Sequence, residues 1–388
     1  MDIQQRGIIA LFKSGITGAR YDLPPAFDLE YAMQQCRRHH LEGLFYTGAR
    51  NCGIPANDPA MTKAFARLCK QTLKSDAQLR EVERVLGAFD NNRIDYLPLK
   101  GCKMKMLYPA PELRYMGDAD ILIRMEQYPL VVKVMEELCF ERYNETDHEL
   151  IWISKDLHLE LHKRLIPSYN KDFYAYFGEG WHLARVEHGS CYTMSAEDEL
   201  IFLFSHFAKH YRDGGIGCRH VVDLWVFRCA HPDMDECYVR SELQKLKLCE
   251  FYDNIIRLIG VWFEDEPTDE KVDYVSGFIF SSGDWGTMEK RILSAAVKDT
   301  NHADGRGGRL HYILRKLFPG ANTLKKKYKV LERAPWLLPF VWGIRPFYKL
   351  LFERETLTKQ KEALEVLEQD NIAKQKILLN YVGLDFNF

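Results

Sequence analysis

The sequence predicts an α+β protein, a small mixed sheet flanked by N-terminal and C-terminal helical regions, on three observations. Apolar residues recur at three- and four-residue spacings through the first ninety residues and again from Ser195 almost to the end, the period of helices. Between them lie short apolar runs, one strictly alternating, as strands are. Gly and Pro punctuate that middle stretch at positions 101, 109, 111 and 117. A chain of 388 residues exceeds one typical domain. The boundaries expected are 1–93 for an N-terminal helical region, 94–194 for the α/β core and 195–388 for a C-terminal helical domain.

Leu41, Leu44 and Phe45, and later Phe65, Leu68 and Leu73, mark helices between Asp28 and about Asn92. Ile94–Leu99 is short and apolar, a strand, and Lys100-Gly101 turns it into a helical stretch ending near Tyr108. Pro109 and Pro111 stop that helix. Gly117 precedes Asp118-Ala119-Asp120-Ile121-Leu122-Ile123, a strand with carboxylates at its start. Glu126 to Cys139 reads as an amphipathic helix, and Leu150–Ser154 and Leu157–Leu161 as two more strands. Beyond Ser195 the clearest helical runs are Glu199–Tyr211, His220–Cys229 and Ser241–Phe263.

With 53 basic against 55 acidic side chains there is no global field for a nucleic-acid backbone or an anionic membrane; a nucleic-acid partner would need a local patch. Ten cysteines, with no CxxC pair and no dense framework, read as reduced thiols of a cytoplasmic protein. The start, MDIQQRGIIALFKSG, lacks the pattern of a signal peptide. Pro335–Phe352 is rich in Trp, Phe and Leu but interrupted by three prolines and Arg345. A spanning helix wants roughly 20 apolar residues, so a buried or capping helical pair is expected there, with membrane-surface contact as the alternative. Lys325-Lys326-Lys327 reads as a solvated face. There is no internal repeat and no low-complexity segment.

Asp118 and Asp120 stand at i and i+2 of a strand, hence on one face, with Cα atoms about 6 to 7 Å apart. Magnesium takes hard oxygen ligands, usually one or two carboxylates plus substrate phosphates, so such a pair suits a nucleotide-bound ion. The triplet alone is weak, since Glu81-Val82-Glu83 is another. Its position directly before Ile-Leu-Ile is the stronger sign, because carboxylates at the mouth of a core are costly unless a cation compensates them. Alternation in His158-Leu159-Glu160-Leu161-His162 puts Glu160 and both histidines on one face. If this strand lies beside that of Asp120, three acids converge, with Glu160 a ligand or general base and His162 a phosphate contact or substitute base. The competing readings are a zinc site, for which His-x-Glu-x-His matches no familiar spacing, and a half-buried strand with a solvated face. Lys100-Gly101 offers close backbone approach to a phosphate, a helix N-terminus and a charge for the β or γ phosphate; an ordinary helix-starting turn is its bland counterpart.

The string LPLKGCKMKMLYPAPELRYMGDADILI followed by LHLELH resembles a family of bacterial nucleotidyltransferases often associated with surface-polysaccharide gene clusters, within the polymerase-β-like nucleotidyltransferase superfamily. The shared positions are Lys100, Gly101, Tyr108, Pro109, Arg114, Asp118, Asp120, Glu160 and His162. Cys102 stands where that superfamily commonly has a second small residue. The resemblance covers roughly Ile94 to Phe227, including His206-Phe207-Ala208-Lys209-His210 and then Gly215, Gly217, Arg219 and Asp223. It implies a nucleotidyltransferase core that moves a nucleoside monophosphate from an NTP, ATP among them, to an unidentified hydroxyl or phosphate acceptor, releasing pyrophosphate. Mg2+ or Mn2+ would be the cofactor, held by the catalytic residues Asp118, Asp120 and Glu160. Lys100, Gly101, Arg114 and His162 would bind the nucleotide. His206, Lys209, His210 and Arg219 would form an acceptor or phosphate wall, a reading weighed against helix packing and internal ion pairs. A non-catalytic nucleotide-binding or assembly module and a metal-dependent phosphohydrolase are the alternatives.

Overall fold

Helices α1 (Ile3–Thr17), α2 (Leu29–Arg38), α3 (Glu42–Asn51) and α4 (Pro59–Asn91) precede the sheet in the computed structural model, which describes residues 1–284, 286–302, 314, 318–320, 324–325, 328–344 and 369–384. Local chemistry sets their ends. Asp2 and Gln5 form a reciprocal capping box on α1, Gly18 closes it in the left-handed region, and Asp58 caps α4 with Pro59 in its first turn. In α3, Gly48 lets the backbones of α1 and α3 touch, for an added Cβ would lie 2.0 Å from the Leu11 carbonyl oxygen.

Seven strands form one mixed sheet: β1 (Tyr96–Pro98), β2 (Ala119–Ile123), β3 (Glu141–Glu145), β4 (Glu149–Ile153), β5 (His158–His162), β6 (Arg185–His188) and β7 (Cys191–Thr193). Their order is β3-β4-β5-β2-β1-β7-β6, with β2 parallel to β5 and β1 parallel to β7. Ala119, Ile121, Ile123, Leu159, Leu161, Leu150 and Trp152 line one face. They pack on Val82, Val85 and Phe89 of α4 and on Val131, Val134 and Met135 of α6 (Tyr128–Glu137). Each Val, Leu, Ile, Met or Phe among them contributes about 1.5 to 3 kcal/mol by leaving water. Because side chains alternate along a strand, the opposite face of the same strands carries Asp120, Glu160 and His162.

Two compact units divide the chain: Met1–Ala208 with Ile216–Asp284, and Lys209–Gly215 with Trp285–Phe388. The first holds the sheet, the single turn α5 (Gly101–Met104), α7 (Lys171–Phe177), most of α8 (Ala196–Asp213), α9 (Cys218–Ala230), α10 (Glu236–Lys245), α11 (Cys249–Phe263) and α12 (Glu270–Ser282). The second includes α13 (Met288–His302), α14 (Val330–Arg333) and α15 (Gln369–Tyr381). In it Gln375 of α15 donates to Ser294 of α13, and Leu324, Leu331 and Val341 form a small core.

Several elements differ from the sequence expectation. Ser241–Phe263 is not one helix: Lys247 adopts φ 56°, Leu248 N–H returns to the Leu243 carbonyl, and α10 ends there before α11 begins. The stretch from Lys100 to Tyr108 is one α-turn followed by a 3-10 turn at Lys105–Leu107. The helix expected over Glu126–Cys139 is a 3-10 turn at Met125–Gln127 and then α6. Strands β3, β6 and β7 were not foreseen, since β3 and β6 are largely exposed and show no apolar alternation. Lys326, Lys327 and residues 345–352 lie outside the described residues. Among the described residues no helix is long and apolar enough to cross a membrane, and all ten cysteines are free thiols.

Candidate active site

The parallel pairing of β2 with β5 sets Asp120 opposite Glu160 and Leu122 opposite His162. Residues in register on neighbouring strands share a face, so both acids emerge side by side from the sheet. Asp118 lies one residue ahead of β2, at the lip of the sheet. Donor atoms of Asp118, His158 and Glu160 all fall within 4.8 Å of one another, and so do those of Asp120, Glu160 and His162. Glu160 belongs to both groups, so two adjacent donor sets share one carboxylate. His162 Nε2 stands 2.8 Å from Asp120 Oδ1, and Lys100 Nζ 3.2 Å from the same oxygen.

Lys100 reaches that oxygen from a strained turn. Its backbone sits at φ 37°, ψ −106°, in the region that L side chains avoid at a cost of about 1 to 3 kcal/mol. The surroundings impose it. Leu99 N–H donates to the Asp120 carbonyl at 2.9 Å, and the Lys100 carbonyl accepts from Met104 N–H at 2.8 Å. The left-handed residue is thus the lysine, while Gly101 serves close packing: an added Cβ would stand 3.2 Å from Met116 Cγ and 3.3 Å from an Arg114 guanidinium nitrogen. The Phe202 ring of α8 lies against the ammonium, 5.7 Å from its centroid.

Burial, then the charges of Asp120, Asp118 and Glu149, push the Glu160 carboxyl up to about 8. Burial and Asp120 also raise Asp118. Asp120 is equally desolvated, yet Lys100 and His162 hold its carboxyl well below the usual range. Burial disfavours the Lys100 ammonium, but Asp120, Asp118 and Glu160 outweigh it and raise that group. Two carboxyls pushed up beside one held down mark an acid cluster with too little fixed positive charge, a place suited to added cations.

The family model described as uncharacterised nucleotidyltransferase matches residues 25–264, more than half of the chain and all of the acids above. The chain belongs to this nucleotidyltransferase family. Its activity is accordingly nucleotidyl transfer. No curated protein and no solved structure matches the chain. In this nucleotidyltransferase the matched segment runs from α2 through α11 and takes in the whole sheet.

The nucleotidyltransferase fold brings Lys100, Gly101, Asp118, Asp120, Glu160 and His162 together. Arg114, expected to bind the nucleotide, lies buried behind Gly101 and forks onto Asp223 of α9 at 2.9 and 3.0 Å, while Tyr108 donates to the same carboxylate at 2.7 Å. Arg219 is buried too, paired with Asp284 at 2.9 and 3.1 Å. His206 lies in the first unit and is half-buried, whereas Lys209 and His210 fall in the second. Sequence reasoning missed Glu149 and His148. Glu149 on β4 sits across from His162, His148 pairs with it at 2.9 Å, and the imidazoles of His148 and His162 lie 5.9 Å apart, tilted by 58°. No spacing in Glu-Leu-Ile-Trp-Ile announces it; Glu149 reaches the face of Glu160 only through the antiparallel pairing of β4 with β5.

Proposed function

We propose that the nucleotidyltransferase moves a nucleoside monophosphate from an NTP to a hydroxyl or phosphate acceptor, releasing pyrophosphate, with Mg2+ or Mn2+ held by Asp118, Asp120 and Glu160. The observation that carries this reading is the register of Asp120 with Glu160 across two parallel strands. The donor atoms suit the ions: Glu160 shares one set with Asp118 and His158 and another with Asp120 and His162, each gathered within 4.8 Å, and the cluster's own cation, Lys100, leaves Glu160 and Asp118 uncompensated. Asp118, Asp120 and Glu160 would hold the divalent cations, whose charge would supply polarisation of the α-phosphorus and neutralisation of the pyrophosphate.

The remaining roles belong to the chain. Lys100, held in its strained turn beside Asp120, presents an ammonium to the β or γ phosphate. Gly101 keeps the turn tight against the Asp118 backbone. Glu160, once ionised, serves as the third ligand or as the base that takes the proton of the acceptor hydroxyl. His162, with Nε2 on Asp120, orients that carboxylate. The test is to mix the full chain with each NTP and Mg2+, with pooled sugar, peptide and nucleotide acceptors. Nucleotide binding and pyrophosphate release are expected from the wild type and reduced by at least about a hundredfold in Asp118→Asn and Asp120→Asn. Equal behaviour of variants and wild type would remove the proposal.

A further inference from the structure

At the other end of the sheet, β6 and β7 form a hairpin around Gly189 and Ser190, with Gly189 at φ 54°. Neighbours along a regular strand point to opposite faces, so Glu187 and His188 should diverge. They do not, because the pairing slips between Val186 and His188, and such a bulge re-aims a side chain. The ligand atoms of Glu187, His188 and Cys191 all lie within 4.8 Å of one another. Cys191 Sγ stands 3.7 Å from Glu187 Oε2.

From this juxtaposition we propose a second metal site, of zinc type, formed by Glu187, His188 and Cys191 at the tip of the β6–β7 hairpin and independent of the acid cluster. Zinc bonds of about 2.0 to 2.3 Å in tetrahedral array set ligand atoms roughly 3.3 to 3.8 Å apart. The sulfur–carboxylate distance already meets that spacing, and the exposed Glu187 and His188 are free to close the remainder. Donor chemistry separates this site from the other. Thiolate and imidazole are soft or borderline ligands that select Zn2+ or Co2+ over Mg2+, whereas Asp118, Asp120 and Glu160 offer hard oxygens. With three protein donors, water takes the fourth position.

The surroundings support it. Cys191 is 5% exposed and pairs in register with Tyr96 of β1. Tyr96 donates to Asp90 at 2.9 Å, and the other oxygen of Asp90 accepts from Ser190 N–H at 3.4 Å. Asp90 thus ties the turn at Ser190 to the Tyr96 phenol and fixes the backbone that carries Cys191. An ion here would fasten together the outermost strand, all of whose residues are exposed.

Cobalt(II) alone, titrated into the full chain, tests the site through the thiolate-to-cobalt charge-transfer band in the near ultraviolet. The proposal expects that band at one equivalent, lost in Cys191→Ser, with cobalt affinity lowered at least about tenfold in the exposed His188→Ala. Asp120→Asn should leave the band in place, separating the result from any failure of the acid site. No such band, a band that persists in Cys191→Ser, or unchanged affinity in His188→Ala each overturns the three-donor site.

Discussion

Glu160 is held up to about 8 against an ordinary value of 4.5, because it is buried beside Asp120, Asp118 and Glu149. A carboxyl whose folded value is raised binds its proton more tightly in the native state. Its stabilising effect is complete below about pH 4.5 and is lost as pH rises through about 8. Glu160→Gln should therefore stabilise the cation-free protein at pH 8 by about 1 to 3 kcal/mol, a gain that shrinks toward pH 5, while nucleotidyl transfer falls at least about a hundredfold. Urea melts of both proteins in chelator at the two pH values measure this; a variant no more stable than wild type at pH 8 contradicts the electrostatic reading. The residue itself was legible, because alternation in HLELH fixes which side chains share a face. Its neighbour Glu149 was not, because its place depends on the antiparallel partner that β4 finds in space.

Close approach of elements, rather than their propensities, governs the next scale. At the crossing of α1 and α3, Gly48 meets the Leu11 backbone, which cannot swing aside as a side chain would. Gly48→Ala should cost about 3 kcal/mol by prying the helices apart. A denaturant midpoint equal to wild type would show that the crossing yields freely. At the site, Gly101→Ala meets only Met116, Arg114 and the Asp118 carbonyl at 3.2 to 3.4 Å, so its expected effect is smaller on stability than that of Gly48→Ala. Elements with strong periodicity, such as α8 and β5, were readable. The edge strand β6 was not, for all of its residues are exposed, and the break between α10 and α11 depends on a left-handed Lys247 that no propensity announces.

Across the first unit, charged pairs remote in sequence join the sheet region to the helices. Arg114 and Asp223 are 109 positions apart, and Arg114 also lies behind Gly101. Spacing within a sequence cannot reveal such a pair. Asp223→Asn would leave a buried guanidinium poorly paired, at a cost of about 3 to 5 kcal/mol, and should also weaken nucleotide binding by loosening the Lys100-Gly101 turn. Unaltered stability in a thermal melt would contradict the structural role. The whole account rests on Asp118, Asp120 and Glu160 gathering divalent cations around a nucleotide, and electron paramagnetic resonance of Mn2+ titrated with a non-hydrolysable NTP addresses that directly. Wild type should bind Mn2+ together with nucleotide, with bound signal lost in both Asp120→Asn and Glu160→Gln. Undiminished Mn2+–nucleotide binding in those two variants would contradict it.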